Sequence, residues 1–259
     1  MKALAARRHH RFAPVVLLLL ALLVTGGVYA VLAPSSAKAE TASTADIETG
    51  KKLFQANCAT CHGPNAEGTS EAPSLVGVGA AAVDFQVSTG RMPMQMNGPQ
   101  AAAKPPQMDE EQTAALAAYV ASLGAGPAIP TDEQVDPALG DSANGLELFR
   151  TNCAMCHNAV GAGGALSEGK HAPSLRDTSP RNIYQAMLTG PQSMPVFNDA
   201  NITPEDKRDI IAYLEDQKQG SAGGFELGGI GPVAEGLWAW IVGIGLLIAG
   251  SVWIGAKSS

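Results

Sequence analysis

The stretch NCATCHGPNAEG at Asn57–Gly68 returns as NCAMCHNAVGAG at Asn152–Gly163, and the two copies hold all four cysteines of the chain. The repeat extends well beyond them. GKKLFQANCATCH at Gly50–His62 aligns with GLELFRTNCAMCH at Gly145–His157, and APSL at Ala72–Leu75 recurs at Ala172–Leu175. STGRMP at Ser88–Pro93 answers LTGPQSMP at Leu188–Pro195, and MDEEQTAALAAYVASL from Met108 resembles ITPEDKRDIIAYLEDQ from Ile202. Landmarks that recur in one order mark a tandem duplication of a module of roughly 80 residues. Whatever fold the chain adopts, it must be built twice.

Each module reads as helical with long loops. A short helix leads into each cysteine motif, with Leu53 and Phe54, or Leu148 and Phe149, on its buried side. A longer helix closes each module. In the second, Thr203 is a natural N-cap and Pro204 suits the first helical position. Ile210, Ile211 and Leu214 then mark an apolar face, as Leu116, Tyr119, Val120 and Leu123 do in the first module. Ser179-Pro180 opens a further helix that Gly190 ends. No run of alternating β-branched residues signals a strand. The expected order is a basic leader 1–11, an apolar segment 12–34 and a first domain 45–124. A linker 125–141, a second domain 142–218, a Gly-rich tether 219–235 and an apolar helix 236–256 complete it. Modules this small, with loops this long, can hardly close a core from their own side chains.

The spacing of the cysteines says what fills it. Cys58-Ala-Thr-Cys61-His62 and Cys153-Ala-Met-Cys156-His157 are C-x-x-C-H, the pattern for covalent c-type haem attachment. Two thiols one helical turn apart can add to the two vinyl groups on one edge of a porphyrin, and the adjacent His62 or His157 then offers an imidazole to iron. A zinc site is a poor alternative, because about 90 residues separate the pairs, far more than in a zinc ribbon. A thioredoxin-like redox pair would need a βαβ pattern. A plain disulfide, though suited to an exported protein, would not require a histidine at the same place twice. The expected cofactors are therefore two haem c groups with their iron, and no disulfide.

Each module resembles a class I cytochrome c domain, which implies an all-α fold. The resemblance implies that Pro73 and Pro173 each offer a carbonyl to the second nitrogen of the ligand histidine, the usual device for fixing an imidazole ligand. It also assigns the sixth iron ligand to a methionine in the loop before the last helix. In the second module that residue is Met194. The first offers Met92, Met94 and Met96; alignment on Thr-Gly selects Met94, and alignment on Met-Pro selects Met92. The family places its ligand directly before proline, and proline holds the preceding residue extended, so Met92 is expected, with Met94 as the alternative. His/Met ligation raises the reduction potential. His171 has no partner in the repeat and is expected to face solvent, whereas Met108 and Met155 are expected to pack. His9 and His10 belong with the cationic leader.

The ends of the chain carry a second message. Phe12 to Pro34 and Gly236 to Ala256 contain no charge, and each is about as long as a membrane-crossing helix, roughly 20 residues. Lys2, Arg7, Arg8 and Arg11 precede the first run, which reads as a retained anchor or, with Ala37-Lys38-Ala39 behind it, as an export signal. Trp238, Trp240 and Trp253 lie near the ends of the second run, where indoles favour a membrane interface. By the positive-inside rule both chain ends are cytoplasmic and the middle is external. All 24 acidic residues lie between Glu40 and Glu235, with only 11 of the 17 Lys and Arg, a net of −13. No basic face for nucleic acid is offered.

An N-terminal span, two cytochrome c domains and a C-terminal span together resemble the dihaem cytochrome c subunit of the actinobacterial-type cytochrome bc complex, the menaquinol–cytochrome c reductase. That resemblance implies a cytochrome b subunit, a Rieske iron–sulfur subunit and a haem–copper oxidase as partners. The first haem would receive electrons from the Rieske subunit and the second would pass them to the oxidase copper centre. The transfer is outer-sphere and needs no catalytic acid, base or nucleophile of this chain. Rival readings are a subunit of another oxidase, such as the cbb type, an entry subunit for a periplasmic dehydrogenase, and a dihaem peroxidase. The second span counts against the cbb type, and the Met-Pro in both modules counts against a peroxidase.

Overall fold

The computed structural model describes residues 12–32, 43–96, 98–219 and 232–256. The basic leader 1–11, the Ala37-Lys38-Ala39 segment and tether residues 220–231 lie outside the described residues. The chain divides into two units, Met1–Thr41 and Ala42–Ser259. The first contributes helix α1, Ala13–Leu32, apolar along its length. The second carries both repeated modules and the C-terminal helix.

In the first module α2 (Thr44–Asn57) starts at a capping box, where the Ser43 side chain accepts from the Asp46 amide and the Asp46 carboxylate accepts from the Ser43 amide. The single-turn helix α3 (Ala59–His62) follows directly, then α4 (Gly79–Ser88) and the closing helix α5 (Glu110–Ser122). Asp109 and Gln112 form the capping box of α5. Helices α2 and α5 cross so closely that a Cβ at Gly50 would lie 1.9 Å from the Ala115 carbonyl oxygen. Phe54 then meets Tyr119 with ring centroids 5.3 Å apart. Phe54, Leu116 and Val120 are almost fully buried, each such side chain contributing roughly 1.5–3 kcal/mol. Leu53 is only partly buried against this cluster.

Short turns at α6 (Asp132–Val135) and Pro137–Leu139 join the modules. They are docked on the second module: Gln134 donates to the Tyr184 hydroxyl at 3.2 Å and Arg208 reaches the Glu133 carbonyl at 3.5 Å. That module repeats the plan with α7 (Ser142–Asn152), α8 (Ala154–His157), α9 (Pro180–Thr189) and α10 (Pro204–Lys218). Thr203 caps α10 and Pro204 opens it; Ser179 caps α9, which ends at Gly190 in the left-handed conformation, all as the sequence predicts. Gly145 stands to Asp209 as Gly50 stands to Ala115, again 1.9 Å from Cβ to carbonyl oxygen. Phe149 lies 5.4 Å from Tyr213.

Two departures from the sequence reading appear. A hairpin of two-residue strands, β1 (Gly164–Ala165) and β2 (His171–Ala172), occupies a loop expected to carry none. It uses the extra length of the second module, where His157 reaches a proline 16 positions on, against 11 for His62. Met155, expected to pack, is 93% exposed, and Thr60, the third residue of the other cysteine motif, is exposed as well. Met108 does pack against the first core, and His171 is exposed.

Helix α11, Pro232–Ala256, contains the stretch Gly236–Ala256, with mean hydropathy 2.0 and none of it buried. Among the described residues it is the helix long and apolar enough to cross a membrane. The corresponding stretch of α1, Pro14–Gly27, is shorter.

A twice-built histidine cradle

Cys58 closes α2, its amide donating to Phe54 O at 2.8 Å, and also opens α3, where the Cys61 and His62 amides return to Cys58 O at 3.1 and 2.9 Å. Phe54, anchored in the helix crossing, thereby fixes the turn that sets both thiols and the imidazole. The second module repeats this at Phe149, Cys153, Cys156 and His157, with distances of 2.8, 3.1 and 2.9 Å. The thiols are one helical turn apart in each case, the spacing that spans one porphyrin edge.

The imidazoles are held from behind. His62 Nδ1 lies 2.8 Å from Pro73 O, and His157 Nδ1 lies 3.0 Å from Pro173 O. A carbonyl oxygen only accepts, so Nδ1 carries the proton and Nε2 presents its lone pair. Both rings are largely buried, at 9% and 8% exposure. Burial pushes the His157 pKa down, partly opposed by the Pro173 hydrogen bond; the neutral imidazole that can ligate iron is the favoured form. Burial also raises the Cys58 thiol to about 11 and the Cys153 thiol to about 12, with Cys61 and Cys156 adding to the effect.

The loop from histidine to proline is locked at a matched glycine. Gly68 N donates to His62 O, and Gly163 N to His157 O, each at 2.8 Å. Both glycines have positive φ, +88° and +82°, and a Cβ on either would come within 2.5 Å of backbone in the proline segment. Only glycine lets that segment lie so close to the ligand turn.

The methionine loops leave helices α4 and α9. Met92 packs against the first core and its amide donates to Gln86 O at 2.9 Å; Met194 packs against the second. Met96 is 80% exposed. Arg91 lays its guanidinium 4.8 Å from the Phe85 ring centroid, and Lys104 Nζ donates to Pro93 O at 2.6 Å. In the second module Lys207, fully buried, donates to Asp199 at 2.7 Å and to Ile202 O at 2.6 Å, bracing the end of the Met194 loop. The sequence reading passed over these bracing cations. Their signal was a lysine inside an otherwise apolar helix face or loop.

These donor sets fit haem c twice over: paired thiols, a buried imidazole with Nδ1 tied to a carbonyl, and a methionine loop on the module core. The protein is thus of the dihaem c-type cytochrome class, an electron-transfer component. Residues 47–124 match the cytochrome c family, and residues 140–214 match cytochrome c oxidase, cbb3-type, subunit III. The cytochrome bc1 complex cytochrome c subunit of Corynebacterium efficiens is 47% identical over 253 residues, covering 90% of this chain and 85% of the relative. That of Mycobacterium tuberculosis is 46% identical over 261 residues, covering 97% and 93%. The cbb3-type cytochrome c oxidase subunit FixPc of Rhizobium leguminosarum bv. viciae is 32% identical over 140 residues, covering 51% of this chain and 45% of the relative. The chain belongs to the family of cytochrome bc1 complex cytochrome c subunits.

Proposed function

We propose that the chain relays electrons within a quinol–cytochrome c reductase, taking them from the Rieske iron–sulfur subunit and handing them to a haem–copper oxidase. When bound, the covalent haem supplies a one-electron iron couple at each domain. Cys58 and Cys61, with Cys153 and Cys156, form the thioether links. His62 and His157 would ligate the iron through Nε2, and Met92 and Met194 would supply the sulfur ligands. The carbonyls of Pro73 and Pro173 keep each imidazole oriented and basic. The first domain faces the Rieske and cytochrome b subunits and the second faces the oxidase. Helices α1 and α11 are both membrane spans, with the haem domains external and both chain ends cytoplasmic.

The observation that carries this reading is the same His–Pro cradle built twice in a chain that aligns along most of its length with bc1 complex subunits. The likeness of residues 140–214 to an oxidase subunit supports an oxidase-facing second domain. Purification of the tagged chain from membranes tests it. Recovery with cytochrome b, Rieske and oxidase subunits is expected; recovery with a periplasmic dehydrogenase instead would overturn it.

A further inference from the structure

The two modules differ in sequence at the places where they touch. Asp84, in the middle of α4, is 5% exposed, on a helix whose other buried residues are Gly79, Ala81, Val83, Phe85 and Val87. Its partners come from the other module. Arg181 of α9 donates to both carboxylate oxygens, Nε at 2.9 Å and Nη2 at 2.8 Å, and Gln185 of α9 donates to Oδ2 at 2.6 Å. A buried carboxylate is tolerated only when so paired, and the bidentate fork fixes direction as well as distance. Aligned on Thr89-Gly90 and Thr189-Gly190, Asp84 corresponds to Tyr184, Arg181 to Ala81 and Gln185 to Phe85. The contact therefore uses none of the chemistry the duplication shares.

A second contact has the same character. Gln100 lies in the long segment between Met92 and α5, whereas Met194 is followed much sooner by α10. Its side chain pairs with the β2 backbone of the second module, Nε2 donating to His171 O at 2.8 Å and Oε1 accepting from His171 N at 2.9 Å. His171 belongs to the second module's hairpin, which has no counterpart among the described residues of the first. Ala101 N adds a bond to Gln192 Oε1 at 3.2 Å, on the Met194 loop.

We propose that Asp84, Arg181 and Gln185, with Gln100 on His171, form a latch that holds the two haem domains in their electron-transferring arrangement. Asp84 and Arg181 are positioning residues for transfer between the domains. The latch joins α4 and α9, the helices that run directly into the two methionine loops, so its closure sets the distance and angle between the haem sites. This rests on the relay reading insofar as the transfer between domains is part of it.

The test uses the full-length chain carrying both haems. Pulsed electron paramagnetic resonance reads the iron–iron distance distribution in the oxidised protein, and flash-induced reduction reads transfer between the domains. Arg181→Gln and Asp84→Asn are expected to replace one narrow distance peak by a broad or shifted one and to slow the transfer. Haem content and the sulfur-to-iron band of each domain stay as in the parent, which a loss of fold would not allow. Arg181→Lys, which keeps the charge but not the fork, is expected to recover part of the narrow peak. Arg181 is 43% exposed, so Arg181→Gln decides the matter even where Asp84→Asn fails to mature. Unchanged distance and rate in Arg181→Gln would overturn the latch. Recovery of the chain with a dehydrogenase would overturn the relay reading while leaving the distance measurement intact.

Discussion

Replacing Gly145 by alanine should destabilise the second domain, although the same change in an ordinary helix does the opposite. Gly145 is helical, in α7, and alanine there gains roughly 1 kcal/mol of intrinsic propensity. The crossing reverses the sign. A Cβ would lie 1.9 Å from the Asp209 carbonyl oxygen and 2.5 Å from its carbon, whereas ordinary contact begins at 3.4 Å. Both obstacles are backbone, so no rotamer change relieves them, and the helices must part by roughly 1.5 Å at the crossing. Overpacking of this kind costs about 1–3 kcal/mol, and a backbone clash belongs at the upper end. Separation also stretches the Phe149–Tyr213 ring pair, now at 5.4 Å, worth about 0.5–1.5 kcal/mol. The net expectation is a loss of about 2–3 kcal/mol after the propensity gain. Denaturant titration of the full-length dihaem chain, followed in the haem absorption of the two domains, reads the effect. Gly145→Ala should lower the midpoint of the second domain's transition and Gly50→Ala that of the first. An unchanged or raised midpoint in Gly145→Ala would refute the reasoning.

Further outcomes follow from the same geometry. Met92→Leu should abolish the far-red sulfur-to-iron band of the first domain while Met94→Leu keeps it; survival of the band in Met92→Leu with loss in Met94→Leu would reverse the assignment. Cys153→Ala should lower the haem content from two towards one per chain in a pyridine haemochrome titration, and a ratio that stays at two would contradict the attachment site. Tyr184 is pushed up to about 12 by burial and by the nearby Asp199 and Glu205. Its neutral form is thus favoured by folding, and that stabilisation is present below the ordinary phenol range near 10 and lost as pH rises through about 12. Alkaline unfolding curves should show this loss, and Tyr184→Phe should remove that part of the pH dependence.

Much of the fold was legible because its signals are local. Thr203-Pro204, Ser179-Pro180 and Gly190 announce helix ends through their own backbone chemistry, and the structure uses them as read. The cysteine motifs and their prolines were legible because the duplication printed each of them twice. What escaped depends on partners far along the chain. Asp84 was one acidic residue on an apolar helix until Arg181, 97 positions away, gave it a reason. The turns at Asp132–Val135 looked like a free linker because their anchorage, through Gln134 on Tyr184, is equally long-range. Met155 misled because lying outside the methionine loop was taken to mean packing, whereas its one-turn helix buries His157 and leaves Met155 in solvent.

A duplicated chain begins with halves that are interchangeable, and the latch has ended that. A second copy of the first domain would present Ala81 and Phe85 where Asp84 now finds Arg181 and Gln185, stranding a buried carboxylate. A second copy of the second domain would bring Tyr184 to face the Arg181 guanidinium, with no anion to meet it. Neither half can therefore adopt this pairing with its own kind, in the same chain or across two chains. The order of the domains along the polypeptide has become a property of their surfaces, and the molecule has a head and a tail.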